Sequence, residues 1–451
     1  MTTSSAPWPS RSLPELLRRS VGYNLIAAVP IGLAITFQVL LARTFGASLL
    51  TDAYLAAGLL MTFLSTMASA LAETFTQYYH EIKARDAQDA IRFYQAVLNV
   101  SLAVGLGTAA AAMAFAAPLA TVLAPGFEGA RLATLHSVFH VLAFGLIGTA
   151  ALRVNATLLR AELRFLPMYL LGVLPPGLNV LAIIVAGSRH GIVVIAVASV
   201  VGTMVGLGVQ QLYIARALAI PWAPTFWHPR LAGLTGNSLL LRLGHQIWDL
   251  KDVVATNILS ALPGGTVSLY LYGARIATMA FTVASSASRE MFLSLTSELA
   301  ARRDFPAMRI LTRRSFFVFT GTLIAVLLVL AMTLPALLAY FVGARLSADD
   351  RGVIYGVFLL SIPFYLLISI EAPWVTVAIA MRQGGWVAAI GTAFITIFWT
   401  VAVWLRPSLG IFAIPPAMAV GQVHSFLWYR AGGRRLLHPR GGLRDDTQPV
   451  P

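Results

Sequence analysis

Hydrophobic residues fall in long runs along the chain, and short polar stretches separate the runs. A run of about 20 apolar residues forms a helix that crosses the roughly 30 Å hydrocarbon layer of a bilayer. The sequence holds twelve such runs, at approximately 21–42, 53–79, 93–117, 137–159, 166–186, 192–213, 237–262, 267–291, 316–341, 353–378, 386–405 and 411–428. The pattern predicts an all-α, polytopic membrane protein with about twelve transmembrane helices.

A polar segment divides these runs into two groups of six. Residues 215–236 are rich in Pro and Trp, and we interpret them as a cytoplasmic connector between an N-lobe, 21–214, and a C-lobe, 237–430. Residues 1–20 are predicted to form a cytoplasmic N-terminal tail. The Gly-, Arg- and Pro-rich segment 431–451 is predicted to be a disordered basic tail.

A shift of the chain by 216 residues indicates an internal repeat. The shift places the second run on the eighth and aligns, without a gap, Tyr54 with Tyr270 and Ser69 with Ser285. Parallel repeats around a central substrate site are a recurrent plan of transporters. Chance similarity between helices rich in Ala and Ser is the alternative explanation.

Basic residues are unevenly distributed over the segments between the runs. With both termini on the cytoplasmic side, 21 Lys and Arg residues lie in inside segments and six in outside segments. Short cytoplasmic loops accumulate these residues, so the distribution predicts cytoplasmic termini. The net charge of +14 is spread over many inside segments, which favours anionic membrane lipids over nucleic acid as partners.

Composition narrows the function classes further. Of the 451 residues, 58% are hydrophobic and only 11% charged, and none is cysteine, so thiol chemistry is excluded. The sequence holds no nucleotide-binding, nucleophile-elbow or metal-ligand motif, and the predicted outer loops are too short for a catalytic domain. We therefore expect a transporter that is not an enzyme and has no cofactor, with proton or sodium coupling left open.

The seventh run carries five charged or titratable residues. At 100° per residue, Arg242, His245, Asp249 and Asp252 share an arc of about 80°, and Lys251 projects to the opposite side. Each charge in hydrocarbon costs about 2.5–3.5 kcal/mol, so such residues usually line a substrate or ion path. A structural ion-pair network is the alternative. Arg242 and Asp249 are seven residues apart, so we expect Arg242 to pair through His245 or with another helix.

Other charged residues suggest additional roles. Arg275, in the eighth run, carries a planar guanidinium that is suited to bind a diphosphate. The alternative is that its side chain extends to the outer membrane–water interface. Glu371 in the tenth run is either a proton carrier or a hydrogen-bonding partner in a kinked helix. Glu73 and Arg289 are equivalent under the 216-residue shift, and a salt bridge between them would close a cytoplasmic gate. The alternative is that these charged side chains lie at the membrane interface near the inner ends of their runs and form no gate.

Several stretches resemble the MurJ/MviN family of lipid II flippases, within the MOP superfamily of exporters. The resemblance covers about the first 300 residues, and its first and last motifs are the most specific. It is carried by Leu40–Ala47 with Thr51–Tyr54, by Ala72, Glu73, Phe75 and Gln77, by Ala124–Phe127, by Pro175 with Leu178 and Asn179, and by Val267–Arg275.

The resemblance implies a V-shaped bundle of two six-helix lobes that moves a polyprenyl-diphosphate-linked saccharide across the bacterial plasma membrane by alternating access. Arg275 matches a family arginine of the central cavity. Two positions of other family cavity arginines are Ile31 and Phe37 here, so Arg242, Lys251 or Arg153 are candidates to replace them. The family usually has fourteen helices, two more than the twelve runs.

These observations predict a flippase for lipid II or a related lipid-linked oligosaccharide, serving peptidoglycan or surface polysaccharide synthesis. Arg275, Arg242, Lys251 and Arg153 would bind the diphosphate, and His245, Asp249, Asp252 and Glu371 would line the cavity or carry a coupling ion. Cell-envelope biosynthetic enzymes are candidate partners. A cation-coupled exporter of small amphiphiles is the alternative, followed by a membrane glycosyltransferase.

Overall fold

The computed structural model describes residues 13–72, 74–162, 164–187, 189, 191–301, 304–381 and 383–437. Within these ranges the chain is helical apart from short turns and the connector, and no strand occurs. The helices are α1 (Leu13–Phe45), α2 (Leu49–Ala68), α3 (Phe75–Lys83), α4 (Ala87–Ala114), α5 (Ala116–Leu123), α6 (Gly129–Ala143), α7 (Gly145–Ala161), α8 (Phe165–Gly172), α9 (Leu174–Ala182), α10 (Val193–Ala217), α11 (Leu231–Ser260), α12 (Thr266–Ala301), α13 (Phe305–Val342), α14 (Ala348–Ala380), α15 (Gly384–Leu409) and α16 (Ile414–Leu436).

The polar turns between apolar runs contain residues that cap the helices. Ser48 accepts a hydrogen bond from the Thr51 amide at the start of α2, and Asp86 accepts from two amides at the start of α4. Ser347 and Asp350 form a reciprocal capping box at the start of α14. Such caps satisfy amides that have no partner within the helix, so each apolar run begins at a defined residue.

The prediction of an all-α, polytopic fold is confirmed, and each of the twelve predicted spans contains described helical residues. By length and apolarity, eight helical stretches of the described chain can cross a membrane, or nine if α6 and α7 form one span. The fourth predicted span is this pair, bent by 43°. The fifth is divided where Pro175 and Pro176 open α9, because proline supplies no amide hydrogen.

The ends of the helices differ from the predicted boundaries. Helix α1 begins at Leu13 rather than near residue 21, and α16 continues to Leu436, beyond the predicted start of a disordered tail at 431. The connector is shorter than predicted, because α10 ends at Ala217 and α11 begins at Leu231. Hydropathy does not mark these ends because a helix continues through polar residues beyond the membrane. The remaining tail predictions concern residues 1–12 and 438–451, which lie outside the described residues.

The connector is attached to α4 through side-chain hydrogen bonds. Gln95 donates to the Pro221 carbonyl at 2.8 Å, and Asn99 donates to the carbonyls of Ala223 and Thr225 at 2.7 Å each. Trp222 donates from its indole nitrogen to Asn99 at 2.9 Å. These bonds satisfy backbone carbonyls that form no helical bond, so the connector has a fixed path against the first half of the chain.

Glu162, directly after α7, joins this helix to α3. Its carboxylate accepts hydrogen bonds of 2.5 Å from the Tyr79 hydroxyl and from the Lys83 ammonium. Burial of Glu162 tends to raise its pKa, but the two hydrogen bonds and the charge of Lys83 outweigh burial, and the pKa lies below its ordinary value. The ionised carboxylate therefore stabilises the packing of α3 on α7.

Helices of the second half approach each other closely at glycine. A Cβ atom on Gly273 of α12 would lie 2.6 Å from the Ile354 carbonyl oxygen and 2.9 Å from the Val357 side chain of α14. Small residues allow such approach between membrane helices, where packing replaces the hydrophobic effect as the force for association. Gly273 thus fixes how α12, which carries Arg275 two residues later, packs against α14.

Candidate functional site

Polar side chains on successive turns of α11 form a continuous chain of contacts. Buried Arg242 donates from Nε and Nη2 to Gln246 Oε1 at 3.3 and 3.2 Å. Its Nη2 also donates to Asp249 Oδ2 at 3.1 Å. An arginine side chain is long enough to reach this carboxylate two turns away along the same face of the helix. Pairing of Arg242 through His245 or with another helix stays a prediction.

Gln246 connects this chain of contacts to the first half of the protein. Its Nε2 donates to the carbonyl oxygen of Phe63 on α2 at 3.1 Å, and the side chain is buried. The carbonyl of a residue in a membrane helix accepts such a bond only where a neighbouring helix presents a donor. Gln246 therefore holds α11 and α2 together beside the charged pair.

A second ion pair lies further along α11. Lys251 Nζ donates to Asp252 Oδ2 at 3.2 Å. Lys251 also interacts electrostatically with Tyr365 of α14 and with Asp249. The side chains of Asp249 and Asp252 are 47% and 40% exposed, so both carboxylates keep open faces while they hold their cationic partners.

Arg275 of α12 faces the same group of residues. It interacts electrostatically with Tyr54 of α2, with Asp252 of α11 and with Tyr272 of its own helix, and it is half-buried. Among the residues that the structure describes, no carboxylate forms an ion pair with Arg275. The guanidinium therefore differs from Arg242 and Lys251, whose charges are already compensated by Asp249 and Asp252.

These five side chains define the α11–α12 cluster: Arg242, Asp249, Lys251, Asp252 and Arg275. At neutral pH they carry three positive and two negative charges, which leaves one net positive charge from Arg275. Guanidinium groups and tyrosine hydroxyls are suited to phosphate oxygens, because they donate several hydrogen bonds in a fixed geometry. The arrangement can bind an anion beside Arg275 while the ion pairs Arg242–Asp249 and Lys251–Asp252 remain formed.

The other predicted site residues are dispersed. Arg153 lies on α7 with an exposed side chain, away in the sequence from the α11–α12 cluster. Glu371 is buried in α14 and accepts a 2.6 Å hydrogen bond from Gln422 of α16. Whether Glu371 carries a proton or serves as a hydrogen-bonding partner in its helix stays a prediction. Glu73 and the side chains of His245 and Arg289 lie outside the described part of the structure, so the gate stays a prediction.

At the predicted outer end, a buried ion pair joins the two halves of the chain. Arg131 of α6 donates from Nη2 to Asp52 Oδ2 of α2 at 2.6 Å. Asp52 also accepts from the backbone amides of Gly265 and Ser268, each at 2.7 Å, at the start of α12. Arg131 further donates to the Ser260 carbonyl at 3.3 Å. We name the residues Asp52, Arg131, Ser260, Gly265 and Ser268 the outer clasp.

Sequence reasoning gave the outer clasp no role. Asp52 appears there only as part of a family motif, and Arg131 falls in the polar segment between the third and fourth predicted runs. In the structure Arg131 is buried in a helix, and its guanidinium lies 3.6 Å from the centroid of the Phe127 ring. One signal was available. Asp52 and Ser268 are 216 residues apart, so they are equivalent under the repeat, and equivalent positions meet where two repeats face each other across an axis.

Comparisons with known proteins place these observations in a family. The model of the family described as lipid II flippase MurJ matches residues 41–448. No curated protein sequence matches the chain. Among solved structures, it is similar to lipid II flippase MurJ in an inward closed conformation, with a TM-score of 0.75 and 13% identity over 92% of this chain and 87% of that chain.

Two further structures belong to the MOP superfamily. An inward-facing multidrug resistance MATE transporter is similar with a TM-score of 0.72 and 16% identity, over 92% of this chain and 98% of that chain. A transporter from Pyrococcus furiosus is similar with a TM-score of 0.65 and 16% identity, over 93% and 96% of the two chains. At these identities the likeness establishes the fold, which is that of MOP transporters.

Proposed function

Because the chain belongs to the MurJ lipid II flippase family, we propose that its α11–α12 cluster binds the diphosphate of a lipid-linked saccharide during flipping. The protein is a multi-pass membrane flippase for such a substrate and is not an enzyme. The proposal further concerns which saccharide the protein carries, which residues bind it, and on which side of the membrane the termini lie.

The observation that supports the proposal is that Arg275 has no ion-pair partner among the described residues. This guanidinium is half-buried, and it interacts electrostatically with Tyr54, Tyr272 and Asp252. An uncompensated charge within a membrane protein is unfavourable, so an anionic ligand there gains a strong charge-assisted interaction. A diphosphate presents several oxygens to the guanidinium, and Lys251 reaches the same region through its contacts with Asp252 and Tyr365.

The outer clasp supports a mechanism of alternating access. Contacts between the halves at Asp52 would keep the cluster shielded from the outside while substrate enters from the inner leaflet. Separation of these contacts would then open the site outward. The distribution of Lys and Arg supports cytoplasmic termini, and we place the protein in the bacterial inner membrane with its basic loops in the cytoplasm.

Energy coupling is a separate part of the proposal. Asp249 and Asp252 are partly exposed carboxylates beside the cations, and a proton or sodium ion bound there would release Arg242 or Lys251 for the substrate. Buried Glu371, which accepts a hydrogen bond from Gln422, is a further candidate to carry the coupling ion. Biosynthetic enzymes that make the lipid-linked saccharide are proposed partners.

Replacement of Arg275 tests the binding site. In proteoliposomes with a fluorescent polyprenyl-diphosphate saccharide, Arg275→Gln should reduce flipping at least about tenfold, since one charge-assisted interaction contributes about 1.5–3 kcal/mol. Arg275→Lys should keep part of the activity, because an ammonium supplies charge but no planar fork. Arg345→Gln removes an equivalent charge from the exposed outer end and should flip at the wild-type rate.

Flipping by Arg275→Gln at the wild-type rate would overturn the assignment of the site. The substrate itself is identified by depletion of the protein in cells, after which the lipid-linked saccharide that it carries should accumulate in the inner leaflet. Transport of a cationic dye on an ion gradient, with no flipping of any lipid-linked saccharide, would instead favour the exporter alternative.

A further inference from the structure

A cavity of about 320 Å³ lies between α13, α14 and α16, apart from the α11–α12 cluster. Its rim carries four arginines, Arg309 and Arg313 of α13 and Arg430 and Arg434 of α16, all of them exposed. Helix α13 starts and helix α16 ends at this point, and Arg309 Nη2 donates to the Leu437 carbonyl at 2.7 Å. The two helix ends thus bring four positive charges to one opening.

The walls of the cavity are apolar below this rim. Phe316 of α13, Trp374 of α14 and Phe426 of α16 line it, each half-buried. A Cβ atom on Gly433 would lie 2.6 Å from the Trp374 ring, so α16 passes directly against this wall. The guanidinium of Arg430 lies 5.7 Å from the centroid of the Phe426 ring, which places the charge beside the apolar surface.

The charges at the rim have no acidic partner in the part of the chain that the structure describes. Ion pairs elsewhere at the basic end, such as Lys83 with Glu162 and Arg230 with Glu81, show that cations there are compensated where a carboxylate is near. Four guanidinium groups above an apolar cavity match one chemical class, an amphiphile with an anionic phosphate head and a hydrocarbon chain.

We propose that this cavity binds an anionic phospholipid of the inner leaflet, with the phosphate at the arginine rim and an acyl chain against Phe316, Trp374 and Phe426. The site is distinct from the α11–α12 cluster, and it depends on the proposed orientation only for the choice of leaflet. Helix α14 packs against α12, which carries Arg275. A lipid in this cavity would therefore contact a helix that positions the proposed substrate site.

Two charge-matched variants test the proposal. Arg313→Gln/Arg434→Gln removes two rim charges, whereas Arg314→Gln/Arg435→Gln removes two exposed charges from the neighbouring positions of the same helices, which do not line the cavity. Native mass spectrometry of the detergent-purified full chain, titrated with phosphatidylglycerol or phosphatidylcholine, measures the lipid bound. The rim variant should bind phosphatidylglycerol about tenfold more weakly than the matched control, which corresponds to one lost charge-assisted hydrogen bond. Binding of phosphatidylcholine should change little in either variant.

A photoreactive phosphatidylglycerol locates the bound lipid. Crosslinks should map to α13, α14 and α16 around Trp374, and soluble glycerophosphate should not displace them. Equal loss of lipid by both variants, crosslinks spread over the surface, or complete displacement by glycerophosphate would each overturn the proposal. None of these measurements depends on flipping, so their failure is distinct from failure of the proposed function.

Discussion

At the scale of single residues, the protein contains two kinds of charged group within its helices. Asp52 and Arg131 are buried and form an ion pair, and their four described polar contacts join the carboxylate, the guanidinium, the end of α11 and the start of α12. Arg275 is half-buried, and no carboxylate of the described residues forms an ion pair with it. The first arrangement stabilises one conformation, and the second is suited to a ligand.

Asp52→Asn should destabilise the protein by about 3–5 kcal/mol, because it leaves the buried guanidinium of Arg131 without its counter-charge. The double variant Asp52→Asn/Arg131→Gln should be less destabilised than the sum of the single variants. Thermal unfolding of the purified proteins in one detergent measures all three. Strictly additive losses would show that the two side chains are not coupled.

The sequence identified the chemistry of the α11–α12 cluster because charges in an apolar run are conspicuous. It placed Arg242, Lys251 and Arg275 as candidates, and the structure brings Lys251 and Arg275 to the same aspartate, Asp252. For the outer clasp, the sequence offered only the 216-residue spacing of Asp52 and Ser268, and nothing that pointed to the pairing of Asp52 with Arg131. Asp52 and Arg131 are 79 residues apart and stand near the ends of helices, where charges are ordinary.

At the scale of helices, hydropathy predicted which segments are helical but not where they bend or end. The bend between α6 and α7 and the short helix α5 occupy a region that the pattern assigned partly to an outer loop. The length of an apolar run indicates how much of a helix is buried in lipid or protein. Where the helix ends depends on its capping residues and on the helices packed against it. The same neighbours explain why Gly273 is required where α12 meets α14.

Gly273→Ala should destabilise the protein by about 1–3 kcal/mol, because the new methyl group meets a backbone carbonyl that only a shift of α14 can move. Gly58→Ala is the matched control within α2, where an added Cβ meets no atom within 4 Å, and its stability should equal or exceed wild type. Thermal unfolding compares them. A loss in the control as large as that of Gly273→Ala would contradict the packing argument.

The junction of α3 and α7 should give a pH-dependent stability. The pKa of Glu162 lies below its ordinary value of 4.5 in the folded protein, so its contribution is fully present above pH 4.5 and is lost as the pH falls through the lowered pKa. The difference in Tm between wild type and Glu162→Gln should therefore be constant near neutral pH and shrink below pH 4.5. A difference that grows on acidification would contradict this sign.

At the scale of the whole molecule, the halves of the chain meet through specific contacts at one end. Besides the outer clasp, Asn257 donates to the Val122 carbonyl at 2.5 Å, and the Tyr272 hydroxyl donates to the Gly46 carbonyl at 3.2 Å. Residues 122 and 46 belong to the first half, and 257 and 272 to the second. Alternating access requires that contacts of this kind separate in each cycle.

A reversible crosslink between the halves should stop transport. The chain has no cysteine, so Val122→Cys/Asn257→Cys provides the two thiols for a short, reducible bifunctional reagent. Flipping in proteoliposomes should fall to background after crosslinking and recover after reduction. Each single-cysteine variant, treated in the same way, should remain active. Continued flipping by the fully crosslinked protein would exclude separation of the halves at this end.

Asp52 also serves as the N-cap of a helix in the other half of the protein. Gly265, which precedes α12, has no side chain to satisfy the first amides of that helix. Asp52 instead accepts from the Ser268 amide in the first turn and from the Gly265 amide itself. Loss of such a cap costs about 0.5–2 kcal/mol, and it exposes the positive end of the helix dipole. The cap therefore favours the arrangement in which the two halves meet, and the proposed outward opening would have to offset its loss.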